Sequence, residues 1–423
     1  MVATWNFAAD SRAGGGIGGW HAVLIVAAVF ATACSGGPAA VSGEAGWQQI
    51  RCDSAIGSPA NARDDLRVNT GGWKTAFAKH CVPLSEIVSG GPPRDAITPL
   101  DTPGFVEAAR AESWLKPTEP VIVVTDGDAA RAYPLQILIW HEIVNDTFAG
   151  RPIVVTFCPL CNTSLVFDRR AAGHEFTFGT TGNLRYSDLL MWDRQTESWW
   201  QQATGEAIVG ELAGTKLKRV RSSVLSFGEF RRAYPAGEVL SRDAAVAEMQ
   251  RKQSAPRPYG TNPYVGYDRA DTSPISALWG DRATDLRLAP KARVAVVTFA
   301  APPVASLLDG LRRPTALNDV MAGRRIVVLF APGVASPLDR DVIANGADIG
   351  QAVIYDPTLD GRLLTFRVAD DGFSDEQTGS TWTVAGVATR GPLVGRRLAQ
   401  VAHEVTYWFI WSVFRPETEV RRP

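Results

Sequence analysis

Short apolar runs alternate with turn residues along most of this chain, and the pattern predicts a β-rich protein. Runs at 121–124 and 153–157 are rich in Val and Ile and bounded by polar or turn residues, as is typical of strands. Between them, Pro134 precedes apolar residues at helical spacing, which predicts a helix carrying His141. A third strand is expected at 164–167. The predicted order is therefore strand, helix, strand, strand.

A later stretch of the chain repeats this pattern. Residues 294–334 align without a gap with residues 121–161, and the match returns downstream of both. The matching pairs include Asn145 with Asn318, Gly150 with Gly323, Asp193 with Asp375, and Trp200 with Trp382. Such self-similarity predicts two copies of one structural unit. The predicted fold class is α+β and β-rich, with two diverged copies of a strand–helix–strand unit plus hairpins packed together. Asn145 and Asp146, retained in both copies, are interpreted as a helix stop.

Four residues distinguish the two copies. His141, Glu142, Cys158 and Cys161 of the first copy are replaced by Pro314, Thr315, Ala331 and Val334 in the second. Packing residues should persist in both copies, whereas chemically active residues need to persist in only one. We therefore expect the first copy to carry a site and the second to support or cover it.

The sequence Cys158-Pro-Leu-Cys161 directly follows a predicted strand, and it has the spacing of a metal-binding turn. Two thiolates joined by His141 as a third ligand would suit copper or zinc. Met191 is a candidate extra ligand for copper, although a lone Met is more often part of a core. Glu142 is expected to orient His141 or to act as a general base.

Two other interpretations of the CxxC stay open. It could be a redox dithiol, in which a nearby His141 raises the reactivity of Cys158 or Cys161. It could also be a structural disulfide or a pair of buried thiols in an envelope interaction module. Asn162 stands where a c-type haem motif needs His, and no nucleotide cofactor is predicted. Catalysis is left open.

Three charged residues beyond the CxxC could line a pocket. They are Arg185, Asp188 and Asp193, of which Asp193 is more typical of a turn because it recurs in the second copy.

Composition and charge limit the classes of protein to which this chain can belong. The chain has 423 residues, 45% of them hydrophobic and 21% charged, which is ordinary for a globular protein of two or three domains. The net charge of −1 and the lack of a basic run give no sign of nucleic-acid binding.

The N-terminus has the features of a bacterial lipoprotein signal. The apolar run 22–31 is too short to span a bilayer but suits a signal peptide, and small residues precede Cys34. We expect residues 1–33 to be a signal peptide, Cys34 to be lipidated, and the mature protein to be anchored to a membrane in the cell envelope.

The remaining chain divides by composition. Residues 34–70 are expected to form a flexible spacer, and 71–240 an N-terminal extension with the first copy. Residues 241–290 would be a connecting arm rich in tyrosine, and 291–423 the second copy. Cys52 and Cys81 remain as a candidate disulfide, which an exported protein permits.

Several long motifs occur in a characteristic order. They are GGPPRDAITPLDTPGFV, RAYPLQILIWHEIVNDTFAGRPIVVTFCPLCNTSLVFDR, DLLMWDRQTESWWQ, GELAGTKL and DEQTGSTW. Together they resemble the bacterial domain of unknown function 3179 family over about 84–419. The resemblance implies an exported, often lipid-anchored protein, and it carries no activity with it. The motifs WHEIVND and CPLC stand here as in the family, whereas Cys52 and Cys81 do not belong to its pattern.

Overall fold

A computed structural model describes residues 66–280, 282–309, 311 and 313–422. The expected signal peptide, Cys34, Cys52 and most of the spacer lie outside these residues. Within the described part the protein is β-rich with a few short helices, consistent with the α+β class. The α-helices are α1 (Ala108–Ala111), α2 (Leu135–His141), α3 (Phe227–Ala233), α4 (Arg242–Arg251), α5 (Ser276–Trp279) and α6 (Trp408–Phe414). None of the helices described is long and apolar enough to cross a membrane.

The strands fall into two groups along the chain. The first group is β1 (Ile87–Ser89), β2 (Phe105–Glu107), β3 (Pro120–Asp126), β4 (Ala129–Pro134), β5 (Ile143–Phe148), β6 (Arg151–Cys158), β7 (Thr163–Asp168), β8 (Arg170–Ala171), β9 (His174–Glu175), β10 (Phe178–Arg185), β11 (Asp188–Asp193), β12 (Trp199–Gln201), β13 (Glu206–Val209), β14 (Arg219–Val220), β15 (Ser222–Ser226) and β16 (Glu238–Leu240). The second group is β17 (Arg293–Val297), β18 (Val304–Leu307), β19 (Thr315–Met321), β20 (Arg324–Ala331), β21 (Gln351–Asp356), β22 (Thr358–Leu359), β23 (Arg362–Leu363), β24 (Phe366–Ala369), β25 (Gly372–Asp375), β26 (Thr381–Trp382), β27 (Ala388–Arg390), β28 (Ala399–Gln400), β29 (His403–Tyr407) and β30 (Glu419–Arg421).

The main sheets of the two groups have matching strand orders. In the first group the orders are β15-β3-β4-β16-β2, β14-β7-β6-β5 and β1-β10-β11-β12-β13. In the second group they are β29-β17-β18-β30, β28-β21-β20-β19 and β24-β25-β26-β27. The parallel pair of β16 with β4 has its counterpart in β30 with β18. Helix α2, which lies between β4 and β5, has no counterpart among the residues that the structure describes between β18 and β19.

Strand β3 is buried on both faces, which explains its unbroken apolar sequence. Ile122 and Val124 belong to the cluster that contains the CxxC, whereas Val121 and Val123 belong to a second cluster. Because side chains alternate along a strand, the two sets point to opposite faces. The second cluster also holds Val327 and Leu329 of β20. One hydrophobic core therefore joins the two strand groups.

The predicted strands and the helix after Pro134 are confirmed, but the helix is shorter than expected. It ends at His141, and Ile143 already begins β5. Asn145 and Asp146 therefore lie in a strand, and the helix-stop interpretation is wrong. The side chain of Asn145 donates to the Phe178 carbonyl and accepts from the Phe178 amide, so it ties β5 to β10.

Candidate functional site

Two cysteines lie on the turn that joins β6 to β7. Cys158 is the last residue of β6 and pairs with Thr163, the first residue of β7. The Cys161 amide donates to the Cys158 carbonyl at 3.2 Å, and Asn162 completes the turn at φ 52°. Both cysteines carry free thiols and are almost fully buried. The turn is followed by a strand and not by a helix, as the sequence predicts, so it resembles a metal-binding turn more than a thioredoxin-type site.

A second hairpin turn faces these thiols. Tyr186 and Ser187 form the two-residue connection between β10 and β11, and both have positive φ, as in a type I′ turn. The Ser187 carbonyl accepts from both thiols, at 3.7 Å from the sulfur of Cys158 and 3.1 Å from that of Cys161. The Ser187 amide is held by the Leu278 carbonyl at 2.9 Å. The turn thus brings its backbone, and the residue after it, onto the CxxC.

That next residue is Asp188, and it completes a group of three metal-ligand atoms. The two sulfurs and a carboxylate oxygen of Asp188 all lie within 4.8 Å of one another. The Cys161 thiol donates to Asp188 at 3.5 Å, and the Ala203 amide donates to the same carboxylate at 2.9 Å. Gln201 donates to it through its side-chain amide. Asp188 is fully buried.

Burial raises the pKa of every acid in this group. The pKa of Cys158 and that of Cys161 are both raised by burial, and the negative charge of Asp188 adds to each rise. Burial raises the pKa of Asp188 to about 6, although its hydrogen bonds oppose the shift. The site therefore holds its protons more tightly than exposed groups would.

Glu142 faces the same group from the end of α2. Its backbone has φ 57°, which turns the chain out of the helix and into β5. Burial raises the pKa of Glu142 to about 8, and the charge of Asp188 contributes. No hydrogen bond links its carboxylate to the residues described. The negative charge of Glu142 also raises the pKa of Cys158, so the carboxylate lies within electrostatic reach of that thiol.

His141 does not join the ligand group, which corrects the expectation that it would be the third ligand. Its Nδ1 lies 2.6 Å from the Thr98 carbonyl, and its Nε2 lies 2.6 Å from the Tyr259 hydroxyl. A carbonyl only accepts, so Nδ1 carries the proton and Nε2 accepts from the tyrosine. The ring lone pair is thus already engaged. Asp188, and not His141, stands beside the two thiols.

The tyrosines of the predicted connecting arm lie over the site. Tyr259 contacts His141, and the Tyr267 hydroxyl donates to the Leu160 carbonyl inside the CxxC turn at 3.0 Å. Burial raises the pKa of Tyr264, and the charges of Glu142 and Cys158 add to that shift. The arm is therefore part of the site's wall.

The other predicted residues have these positions. Met191 is fully buried in β11, three residues after Asp188, so strand alternation turns it to the opposite face. Cys81 is disulfide-bonded, while its expected partner Cys52 and the lipidation candidate Cys34 lie outside the described residues. Arg185 forms a salt bridge with Glu86 at 2.6 Å.

Asp193 is a turn residue, as its recurrence in the second copy suggests. Its carboxylate accepts from the Thr196 amide and from the Trp200 indole. Asp375 accepts in the same way from Thr378 and Trp382. These contacts stabilise a hairpin turn, which gives Asp193 a structural role.

Comparison with known proteins gives one match. The family model described as "Protein of unknown function (DUF3179)" matches residues 94–418. The chain belongs to the DUF3179 family. No curated protein and no solved structure matches it. The matched part of this DUF3179 protein includes both hairpin turns, Glu142 and the tyrosine-rich arm.

The donor set fits a metal ion in its chemistry. Sulfur from two cysteines and oxygen from Asp188 are ligand atoms that zinc accepts together, and a bound cation would favour the deprotonated form of each. Sequence reasoning named Asp188 only as a pocket residue. The signal that could have raised its rank is its position directly after a two-residue turn between apolar strands.

Proposed function

We propose that this DUF3179 protein binds one metal ion through Cys158, Cys161 and Asp188. The observation that carries the proposal is the meeting of two sulfurs and a carboxylate oxygen within 4.8 Å in the buried core. Three separate stretches of backbone supply and hold these groups. The thiols are free and therefore available as ligands.

The electrostatics favour a metal site over a redox dithiol. A nucleophilic thiol is activated by nearby positive charge, which lowers its pKa. Here the nearest charges are those of Asp188 and Glu142, and the pKa of Cys158 and that of Cys161 are both raised. A bound cation would favour the deprotonated forms of these acids, and its binding would release their protons.

The mixed donor set favours zinc over copper. With His141 and Met191 among the ligands, copper would be slightly the better fit. A carboxylate oxygen in their place is a hard ligand, which copper(I) takes less readily than two soft sulfurs. Zinc accepts cysteine sulfur and aspartate oxygen in one tetrahedral site.

Metal content after anaerobic reconstitution tests the proposal. Reduced protein should bind one equivalent of zinc. Cys158→Ser should abolish binding, and Asp188→Asn should weaken it by about 10–100-fold. His141→Gln is the matched control and should keep full stoichiometry, because its ring nitrogens have other partners.

Each other result supports a different function. Loss of metal in His141→Gln with retention in Asp188→Asn would restore His141 as the ligand. A reversible two-electron potential in metal-free protein would favour a thiol–disulfide oxidoreductase. Neither behaviour would leave an envelope interaction module with a structural CxxC.

We also propose that the protein is exported and anchored through a lipid on Cys34. The support is the short apolar segment before a small-residue stretch that ends in Cys34, together with the oxidised state of Cys81. Fatty-acid labelling of cells should mark the wild type and fail to mark Cys34→Ser. Labelling of both, or of neither, would contradict the anchor.

We further propose that the two strand groups arose by duplication of one unit. The gapless alignment of 294–334 with 121–161 supports this, as do the matching strand orders. Asn145 and Asn318 make equivalent side-chain bonds, to Phe178 and Phe366 respectively. The second unit lacks α2 and both cysteines, so its role is to support the first.

A further inference from the structure

We infer that the metal site keeps one coordination position open for a small, neutral, protic ligand such as water, and that Glu142 and the Ser187 hydroxyl contact that ligand. The inference rests on the proposed metal binding. It assigns an exchangeable position to the site, which a purely structural metal-binding turn would not have. Structural zinc sites hold four protein ligands, whereas sites with three keep a position for water or substrate.

The ligand count leaves one position unfilled among the residues described. Cys158, Cys161 and Asp188 bring their donor atoms within 4.8 Å of one another, and Glu142 is not in that group. His141 is occupied by its own hydrogen bonds. A four-coordinate ion on these three residues therefore needs a fourth ligand from outside this group.

Glu142 has the properties of a residue that contacts such an outer ligand. Its carboxylate has no hydrogen bond to the described residues, yet it is 7% exposed and lies within electrostatic reach of Asp188 and Cys158. The positive φ of 57° at Glu142 costs free energy in a residue other than glycine. Such a conformation persists only where the surrounding structure enforces it, and conformations of this kind cluster at functional sites. A buried carboxyl group without a hydrogen-bond partner is stabilised when a ligand pairs with it.

Ser187 gives independent support from the opposite turn. Its side chain is fully buried, and its hydroxyl has no hydrogen-bond partner. Its own carbonyl accepts from both thiols, so the residue sits against the ligand group. A buried hydroxyl left without a partner is destabilising, and a protic ligand on the ion would supply that partner.

Charge and space define the class of the outer ligand. Two thiolates and one carboxylate outweigh a divalent cation by one negative charge, so an anion is disfavoured. A small cavity lies next to residues that contact the site. Thr163, which pairs with Cys158, and Ala203, whose amide donates to Asp188, both line it. The outer ligand is therefore expected to be neutral.

Cobalt(II)-substituted protein provides the test, because its electron paramagnetic resonance and visible spectra report the coordination shell. We expect the resonance of the cobalt protein to broaden in ¹⁷O-enriched water, which shows a directly bound water. Imidazole, a neutral ligand with an N–H donor, should change the visible spectrum. Azide should bind about tenfold more weakly than imidazole because of its charge.

Variants connect this behaviour to the named residues. Glu142→Gln and Ser187→Ala should each weaken imidazole binding to the cobalt protein by about tenfold. The matched control is Glu112→Gln, which removes an exposed carboxylate paired with Arg231 and should change nothing. Circular dichroism verifies that each variant is folded before its spectra are compared.

The outcomes separate the two proposals. Failure to bind cobalt would sink the proposed function itself. Stoichiometric cobalt whose spectra ignore both ¹⁷O-water and imidazole would overturn the open position and leave metal binding intact. Loss of cobalt in Glu142→Gln would make Glu142 a fourth protein ligand, which also overturns the inference.

Discussion

At the scale of single residues, the site is a set of buried acids. Cys158, Cys161, Asp188 and Glu142 each have a raised pKa, and burial is the first cause in every case. His141 stands one residue from Glu142 but has the opposite behaviour. Burial lowers its pKa to about 4, because the charged imidazolium is the form that burial disfavours.

We predict that this buried imidazole makes the protein sensitive to acid. The pKa of His141 is 6.5 when unfolded and about 4 when folded, so the unfolded chain takes up the proton first. Stability from the neutral ring is complete above pH 6.5 and is lost as the pH falls towards 4, by up to about 3 kcal/mol. Chemical denaturation at a series of pH values measures the loss.

The comparison with His141→Gln isolates this residue. Glutamine does not titrate, and it keeps a donor for Thr98 and an acceptor for Tyr259. The free energy of unfolding of the variant should therefore fall less steeply as the pH is lowered. Part of the slope should remain, because the pKa of His403 is also lowered to about 4. Arg257 and Lys252 disfavour the imidazolium as well. Identical slopes in both proteins would refute the assignment.

The sequence could indicate the two thiols but not their neighbour. The CxxC, its position after a strand and the strand that follows are local features, and the structure has them as predicted. Asp188 joins the cysteines only through the packing of one hairpin against another, which periodicity does not encode. His141 was misjudged because its partners, Thr98 and Tyr259, are distant in sequence.

At the scale of elements, the site consists of two hairpin turns and one helix end. Each contributes a residue other than glycine at positive φ: Asn162 in the β6–β7 turn, Ser187 in the β10–β11 turn and Glu142 after α2. Such conformations cost free energy and persist where the surrounding structure enforces them. All three elements that surround this group of acids therefore contain such a conformation.

We predict that relief of the strain at Ser187 stabilises the metal-free protein. Ser187→Gly removes both the cost of φ 62° and the buried hydroxyl without a partner, and should raise the free energy of unfolding by about 1–2 kcal/mol. Ser187→Ala removes only the hydroxyl and should give a smaller gain. Urea denaturation of metal-free protein measures both.

The order of these stabilities is the decisive result. Wild type should be least stable, alanine intermediate and glycine most stable. If Ser187→Gly and Ser187→Ala were both less stable than the wild type, the hydroxyl would have a stabilising role in the metal-free state. If the gain in stability accompanies weaker binding of an outer ligand, then Ser187 lowers the stability of the protein but is needed for ligand binding.

At the scale of the whole molecule, the second strand group holds the site's cover in place. The amides of Asn262 and Gly266 in the arm donate to the carbonyls of Asp341 and Asp339, both at 2.7 Å. The same arm reaches the CxxC turn through Tyr267, which donates to Leu160. The arm therefore connects the site to the half of the chain that lacks the CxxC.

We predict that the two halves unfold together with release of the metal. Leu329 of β20 is fully buried in the cluster that it shares with Val121 and Val123 of β3. Leu329→Ala should cost about 2–5 kcal/mol and lower the denaturant midpoint of both tryptophan fluorescence and metal release equally. Leu317→Ala, at a position 42% exposed in β19, is the control and should cost under about 1 kcal/mol.

Separate transitions would contradict this coupling. Metal release at an unchanged midpoint, with fluorescence shifted, would mean that the first half is stable alone. Saturating zinc should raise the common midpoint. At a zinc concentration a thousand times the dissociation constant, the free energy of unfolding should rise by about 4 kcal/mol. The same addition should leave Cys158→Ser unchanged.

Cys81 is oxidised in the same molecule that keeps Cys158 and Cys161 reduced, and this difference bears on how the protein matures. Oxidants attack the thiolate form, which is scarce wherever the pKa is raised. In the proposed exported protein, the folded chain would therefore keep this sulfur pair intact in a compartment that forms disulfides. Folding would then have to precede exposure to the oxidant, and binding of the proposed metal would protect the pair further.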